Sequence, residues 1–209
     1  MTRARPYDRD TALDAALTLF WRKGYHATSL KDLEGALRMK PGSIYAAFKS
    51  KEALFLTVLE RYYQRNTQVL QTLLAQDGSP LDALAQFLRS FAKAELDDPR
   101  RQACMVVRTM LETTAGEAAL SEKARGYLDD MTEHFRAAFE AAKTAGELPA
   151  DADTKRLARR FQANLTALRI EAQRAIAPEA LNDLADDMAA ELDALKLKTG
   201  TAHRPAPAN

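Results

Sequence analysis

The residues best suited to chemistry in this 209-residue chain stand between Arg38 and Lys51. The run RMKPGSIYAAFKSK holds four bases, Arg38, Lys40, Lys49 and Lys51, and no acid. Such a run suits a polyanion: the cations neutralise phosphates, while small or hydroxyl-bearing side chains between them reach base edges. Gly42 lets backbone N–H groups come close, Ser43 can donate or accept, and Tyr45 can hydrogen-bond a phosphate. Ala46 and Ala47 are small enough to touch thymine methyls. Pro41 is pre-shaped for the first turn of the helix that would carry them. Residues 176–195 have the opposite character, six acids (Glu179, Asp183, Asp186, Asp187, Glu191, Asp193) and no base, which reads as a solvated helix face.

Covalent chemistry has little to work with. No Ser/His/Asp arrangement, phosphate loop or nucleotide fingerprint is present, which leaves a helical-bundle enzyme as a remote alternative. A helical scaffold that binds protein is equally remote, because it gives no reason for the acid-free basic run. His26, His134 and His203 lie far apart, and none pairs with another His or Cys at ligand spacing, so no metal and no cofactor is expected. Cys104 is the lone cysteine, which excludes an intramolecular disulfide framework and points to a reducing compartment. It follows Arg100 and Arg101 at a helix start, where cations and the helix N-terminus favour thiolate. Two readings stay open for it, a small buried hydrophobe or a reactive thiol.

These residues need a scaffold, and the composition favours helices. The chain is 46% apolar and 28% charged with a net charge of +1, enough apolar material for a core. Few glycines and aromatics argue against sheet. No apolar run approaches the ~18 residues of a membrane span, and the start lacks a signal-peptide stretch. A cytoplasmic chain with no membrane partner is expected.

Leu13, Ala16, Leu17 and Phe20 recur at helical spacing and predict a first helix over 8–23, stopped by Gly24. Ser29 and Asp32 form a capping box for a second helix with Leu30, Leu33 and Leu37 inward. After a tight break at Arg38-Met39-Lys40, the third helix runs over 41–48, anchored by Ile44 and Phe48. Ser50 caps a fourth over 51–76, with Leu54, Val58, Leu59, Tyr62, Val69 and Leu73 on its inner side. Five more are expected over 80–97, 100–114, 117–145, 154–175 and 178–197. Two short helices joined by a tight break and packed by a preceding one match the helix-turn-helix plan, in which the second enters the major groove of duplex DNA.

Gly24-Tyr25, Thr28-Ser29-Leu30, Gly42-Ser43-Ile44-Tyr45, Phe48 and Lys51-Glu52-Ala53-Leu54, taken together, resemble the tetracycline-repressor (TetR) family of regulators over roughly residues 8–60. The resemblance implies an all-α fold of about nine helices. A helix-turn-helix DNA-binding domain would span 1–50, a ligand-binding and dimerisation bundle 51–198, and a disordered tail 199–209. It implies a ligand-responsive repressor, released from a palindromic operator by an unknown small-molecule inducer. By the same resemblance Thr28 or Ser29 would meet phosphate, Gly42, Ser43 and Tyr45 would lie in or beside the groove, and Lys51 would hold phosphate. The chain departs from the common pattern at three positions: Arg38 stands for a turn glycine, Lys40 for a capping Ser or Thr, and Ala46 for an aromatic or His.

An inducer cavity is expected among the fourth to eighth helices. Its candidate walls are Phe87, Phe91, Met105, Met110, Phe135 and Phe139, with His134 as a polar group and Cys104 nearby. Some branches of the family carry a cysteine in a similar segment to sense electrophiles or oxidants, and that is the alternative role for Cys104. Leu157, Phe161, Leu165, Leu168 and Ala172, then Leu181, Leu184, Met188, Leu192 and Leu195, form two stripes at spacings of three and four. They could make a four-helix homodimer interface, with Phe161, Leu165, Leu168, Leu181, Leu184 and Met188 at its centre, or bury within one chain. A two-fold dimer would hold its reading helices about 34–36 Å apart.

Overall fold

In the computed structural model, which describes residues 8–93, 104–174 and 176–197, Asp8 caps α1 (Arg9–Lys23) by accepting from the Asp10 amide. Gly24, at φ 81°, ends the helix. The capping box forms as expected: Ser29 accepts from the Asp32 amide, and the Asp32 carboxylate accepts from the Ser29 amide at 2.9 Å, starting α2 (Leu30–Leu37). Arg38 then turns the chain in the left-handed region, φ 53° and ψ 38°. Proline opens α3 (Pro41–Phe48), whose N-cap Lys40 gives no side-chain cap. The link to α4 (Lys51–Leu74) is a γ-turn: Lys49 sits at φ 67° and ψ −54°, and the Ser50 amide donates to the Phe48 carbonyl at 2.8 Å.

Five helices follow, α5 (Pro80–Ala92), α6 (Met105–Glu112), α7 (Ala118–Thr144), α8 (Thr154–Gln173) and α9 (Pro178–Asp193). The fold is all-helical, with nine α-helices and no strand among the described residues. Helices α4 and α9 stop short of the expected 76 and 197. The expected helical residues 94–97 and 100–103, with Arg100 and Arg101, lie outside the described residues, as does the 199–209 tail.

Two apolar cores organise the packing. The first joins α1–α3 and the front of α4 to Met105, Val106, Leu120, Ala124 and Tyr127, so α6 and the start of α7 pack onto the N-terminal helices. Phe20 and Phe55 meet edge to face in it, centroids 5.0 Å apart. The second joins α5, the back of α7, α8 and α9, with Leu70 of α4. Each fully buried Leu or Phe adds roughly 1.5–3 kcal/mol. Helices α4 and α7 run through both cores and tie them together.

Three expectations need correction. Val69 is 46% exposed, and Leu70, one residue on, takes the inward place. Leu30 is only half-buried. Phe161, Leu165, Leu168 and Leu181 are buried in the chain's own second core, because α5 packs on α9 and α7 on α8. They are therefore unavailable to a partner copy, while Leu184 and Met188 remain half-buried at its edge. Several of the acids of 176–195 have partners: Arg89 binds Asp186 at 2.6 Å, Lys196 binds Asp193 at 2.9 Å, and Arg160 pairs with Glu191.

Candidate nucleic-acid interface and ligand cavity

Helix α3 divides cleanly. Ile44 and Phe48 are buried against α1, α2 and α4, while Gly42, Ser43, Tyr45 and Ala46 face solvent, Tyr45 at 49% exposure. Pro41 is half-buried, and Ala47 turns back onto the core rather than outward. Arg38, Lys40 and Lys49 are exposed around this face. The left-handed turns at Arg38 and Lys49 bracket the helix, so the strain of non-glycine residues at positive φ falls at both of its ends. Lys51 is half-buried, its ammonium 4.5 Å from the Tyr25 ring centroid, and burial lowers its pKa while Glu117 opposes that shift.

Of the two residues implied for phosphate, Thr28 is turned inward, whereas Ser29 is exposed at the N-cap of α2. Thr28 is fully buried, and its hydroxyl donates to the Gly24 carbonyl at 2.7 Å. The Ser29 hydroxyl and amide both donate to Asp32, at 2.7 and 2.9 Å. Those donors close the turn before α2. Arg9 was not marked by any sequence pattern, yet its guanidinium lies 5.2 Å from the Phe48 ring centroid and donates to the Ala47 carbonyl at 3.4 Å. It adds a cation at the C-terminal end of α3, where the helix dipole favours one.

Arg108 of α6 couples this unit to the rest. It donates to the carbonyls of Trp21 (3.2 Å), Arg22 (3.4 Å) and Lys23 (3.2 Å), capping the open end of α1, and pairs with Glu112 at 2.5 Å.

A cavity of about 30 Å³ lies between α4, α5, α6, α7 and α8. Phe87, Phe91 and Cys104 line it, as expected from the sequence. Met105, Met110, His134 and Phe135 do not. Met105 and Met110 pack in the first core, Phe135 lies behind Phe87 with its ring tilted and meets Phe161 edge to face (4.6 Å), and His134 Nε2 meets the Tyr63 hydroxyl at 3.3 Å. Phe139, too, is core, against Phe161. Cys104 is half-buried at the N-cap of α6. The cavity also holds residues no pattern had singled out for it, Tyr62, Tyr127, Gln162 and Arg169. One signal did exist: Arg169 interrupts the apolar stripe between Leu165 and Ala172. Its guanidinium donates to the Tyr62 hydroxyl and lies 4.6 Å from the Phe91 ring centroid. Burial holds the Tyr62 phenol well above its ordinary pKa, with Arg169 pulling the other way, so it stays protonated. Groups of three or more His, Cys, Asp or Glu that could hold a metal are absent among the described residues. No helix there is long and apolar enough to cross a membrane.

An exposed, cation-flanked second helix braced by two others defines a helix-turn-helix DNA-binding protein. Residues 12–58 match the family described as bacterial regulatory proteins, tetR family, and residues 80–188 match the tetracyclin repressor-like C-terminal domain. The chain belongs to the TetR family of helix-turn-helix transcriptional regulators, which act by binding DNA and not by catalysis. It is 33% identical over 190 residues to the HTH-type transcriptional repressor ComR of Escherichia coli K12, covering 88% of this chain and 89% of ComR. A cysteine variant of the TetR family regulator CifR, solved with 26-base-pair operator DNA, superposes with a TM-score of 0.82 at 30% identity, over 90% of this chain and 98% of that one. A TetR-family regulator from Cytophaga hutchinsonii shares the fold at 19% identity, TM-score 0.80, over 95% of this chain and 100% of that one.

Proposed function

We propose that this chain is a cytoplasmic homodimeric repressor that seats α3 in the major groove of a near-palindromic operator and is released by a small molecule bound between α4 and α8. The observation that carries this is the division of α3, with Ile44 and Phe48 anchored inside and Gly42, Ser43, Tyr45 and Ala46 turned outward among Arg38, Lys40 and Lys49. ComR is named a repressor and CifR was solved on its operator, which supports the same role here. In this reading residues 1–50 read DNA and 51–198 respond to ligand, although the packing shares α4 and α7 between the two cores and places α6 in the first.

The dimer would use the outward surfaces of α8 and α9. On α8 these present Ala163, Ala167 and Ile170 beside the bases Arg156 and Arg159, and on α9 Leu184 and Met188 beside Asp183 and Asp187. Basic and acidic faces of this kind can pair across a two-fold axis. Gel shift on the DNA flanking the chain's own gene tests the reading. Tyr45→Ala should weaken binding by about fivefold or more, as the loss of one good contact does, and unchanged binding would overturn it.

A thiol-sensing version shares the scaffold, favoured by the place of Cys104 on the cavity wall beside Tyr62 and Arg169. In it, modification of Cys104 releases DNA. Cys104→Ser should then stay on the operator after electrophile treatment, and its normal dissociation ends that version.

A further inference from the structure

Among the described residues, the buried side-chain polar atoms without a hydrogen-bond partner are Arg169 Nε, the Tyr127 hydroxyl and the Gln162 side-chain oxygen. All three residues line the same cavity. Arg169 is 4% exposed, yet no carboxylate lies among the cavity's described lining. Its guanidinium rests between the rings of Phe91 (4.6 Å) and Tyr62 (5.6 Å) and donates to one neutral oxygen, that of Tyr62. A buried charge is ordinarily paired, and a guanidinium offers five donors in a planar fork that matches a carboxylate. Burial also holds the Tyr127 phenol above its ordinary pKa, so that it stays a donor. Phe87, Phe91 and Leu165 supply an apolar wall.

We propose that the effector of this repressor is a small organic acid with an apolar body, its carboxylate forked onto Arg169. The Tyr127 hydroxyl donates to it or to a second oxygen, and Gln162 accepts from a donor on the ligand. The cavity's present volume, about 30 Å³, is roughly that of one water, so binding selects a more open form. The carboxylate competes with Tyr62 for the guanidinium. Tyr62 belongs to α4 and packs edge to face on Trp21 of α1 at 4.8 Å, so the exchange reaches the DNA-binding helices directly.

This assignment rests on the ligand-responsive reading above, and the test separates the two. Benzoate, 4-hydroxybenzoate, phenylacetate and octanoate, each beside its primary amide, are titrated into the full chain at millimolar concentration, following Tm and operator binding. At least one acid should raise Tm by about 5 °C and release DNA, while its amide does neither. Arg169→Met should melt no lower than the parent, since replacing a buried charge by an apolar side chain is often neutral or stabilising, and should lose the response. If that variant folds poorly, Arg169→Lys decides: charge without the fork should weaken the acid more than tenfold. Amides as effective as acids, silence from every acid, or an undiminished response in the folded variant overturns the assignment. Operator binding that persists beside silent acids removes this anchor alone, whereas absence of operator binding removes the repressor reading itself.

Discussion

Trp21 of α1 and Tyr62 of α4 meet edge to face, with ring centroids 4.8 Å apart and planes at 83°. One side of this pair belongs to the DNA-binding unit and the other carries the hydroxyl that accepts from Arg169. Tyr62→Phe keeps the ring contact but removes that acceptor, leaving the buried guanidinium without it. Stability should fall by about 1–3 kcal/mol, read by urea unfolding. Trp21 is the single tryptophan, so its fluorescence reports the junction. Its emission should change on effector binding in the parent chain.

Arg108 closes the C-terminal end of α1 from α6, through three backbone carbonyls. Arg108→Ala should cost about 1–2 kcal/mol, at or below the low end of the range for hydrogen bonds to a charged group because the side chain is partly exposed. Arg108→Lys should recover little, since a single ammonium cannot span three carbonyls. Thermal unfolding of the three proteins checks both statements.

The α2 capping box carries a pH signature. Hydrogen bonds from Lys23, then Ser29, hold the Asp32 carboxyl well below its ordinary 3.8. A carboxyl depressed on folding contributes stability that is complete above its unfolded pKa and is lost as pH falls through the folded one. The stability advantage of the parent over Asp32→Asn should be full at neutral pH and shrink progressively below pH 3.8. Denaturant midpoints of both proteins across the acid range measure it. Ser29→Ala should cost about 1 kcal/mol at any pH where Asp32 is ionised.

Arg38 occupies the left-handed turn where glycine would be unstrained. Relief of roughly 1–2 kcal/mol, set against glycine's own entropic cost of roughly 0.5–1, predicts that Arg38→Gly gains about 0.5 kcal/mol. The same change removes a cation from the reading face. Operator affinity should therefore fall while Tm rises, a divergence that calorimetry and gel shift on one preparation would reveal.

The DNA-reading half was legible because its signals are local. Ser29 with Asp32, Pro41 and Ser50 mark helix starts within a few residues of the groups they satisfy, and Ile44 and Phe48 lie one turn apart on an eight-residue helix. The α8 and α9 stripes misled because spacing reports that a face is buried, not what buries it. Here α5 and α7 cover the face from within the chain. The cavity was legible only in part for a related reason. Phe87 and Phe91 looked the same in sequence as Phe135, and only the tertiary packing, which sets Phe87 and Phe91 on the cavity and Phe135 behind them, separates wall from core. Arg9 joins α3 across 38 residues, a reach no local pattern carries.

The central claim is that the outward face of α3 and its flanking cations read duplex DNA. Anisotropy of a labelled own-promoter fragment, titrated at several salt concentrations with the parent chain and with Lys49→Ala, tests it most directly. The parent should bind with a steep negative log–log salt slope, and the variant should bind more weakly with a slope shallower by about 0.9, one phosphate contact fewer. Identical affinities and slopes for both proteins, or no binding at low salt by either, would contradict it.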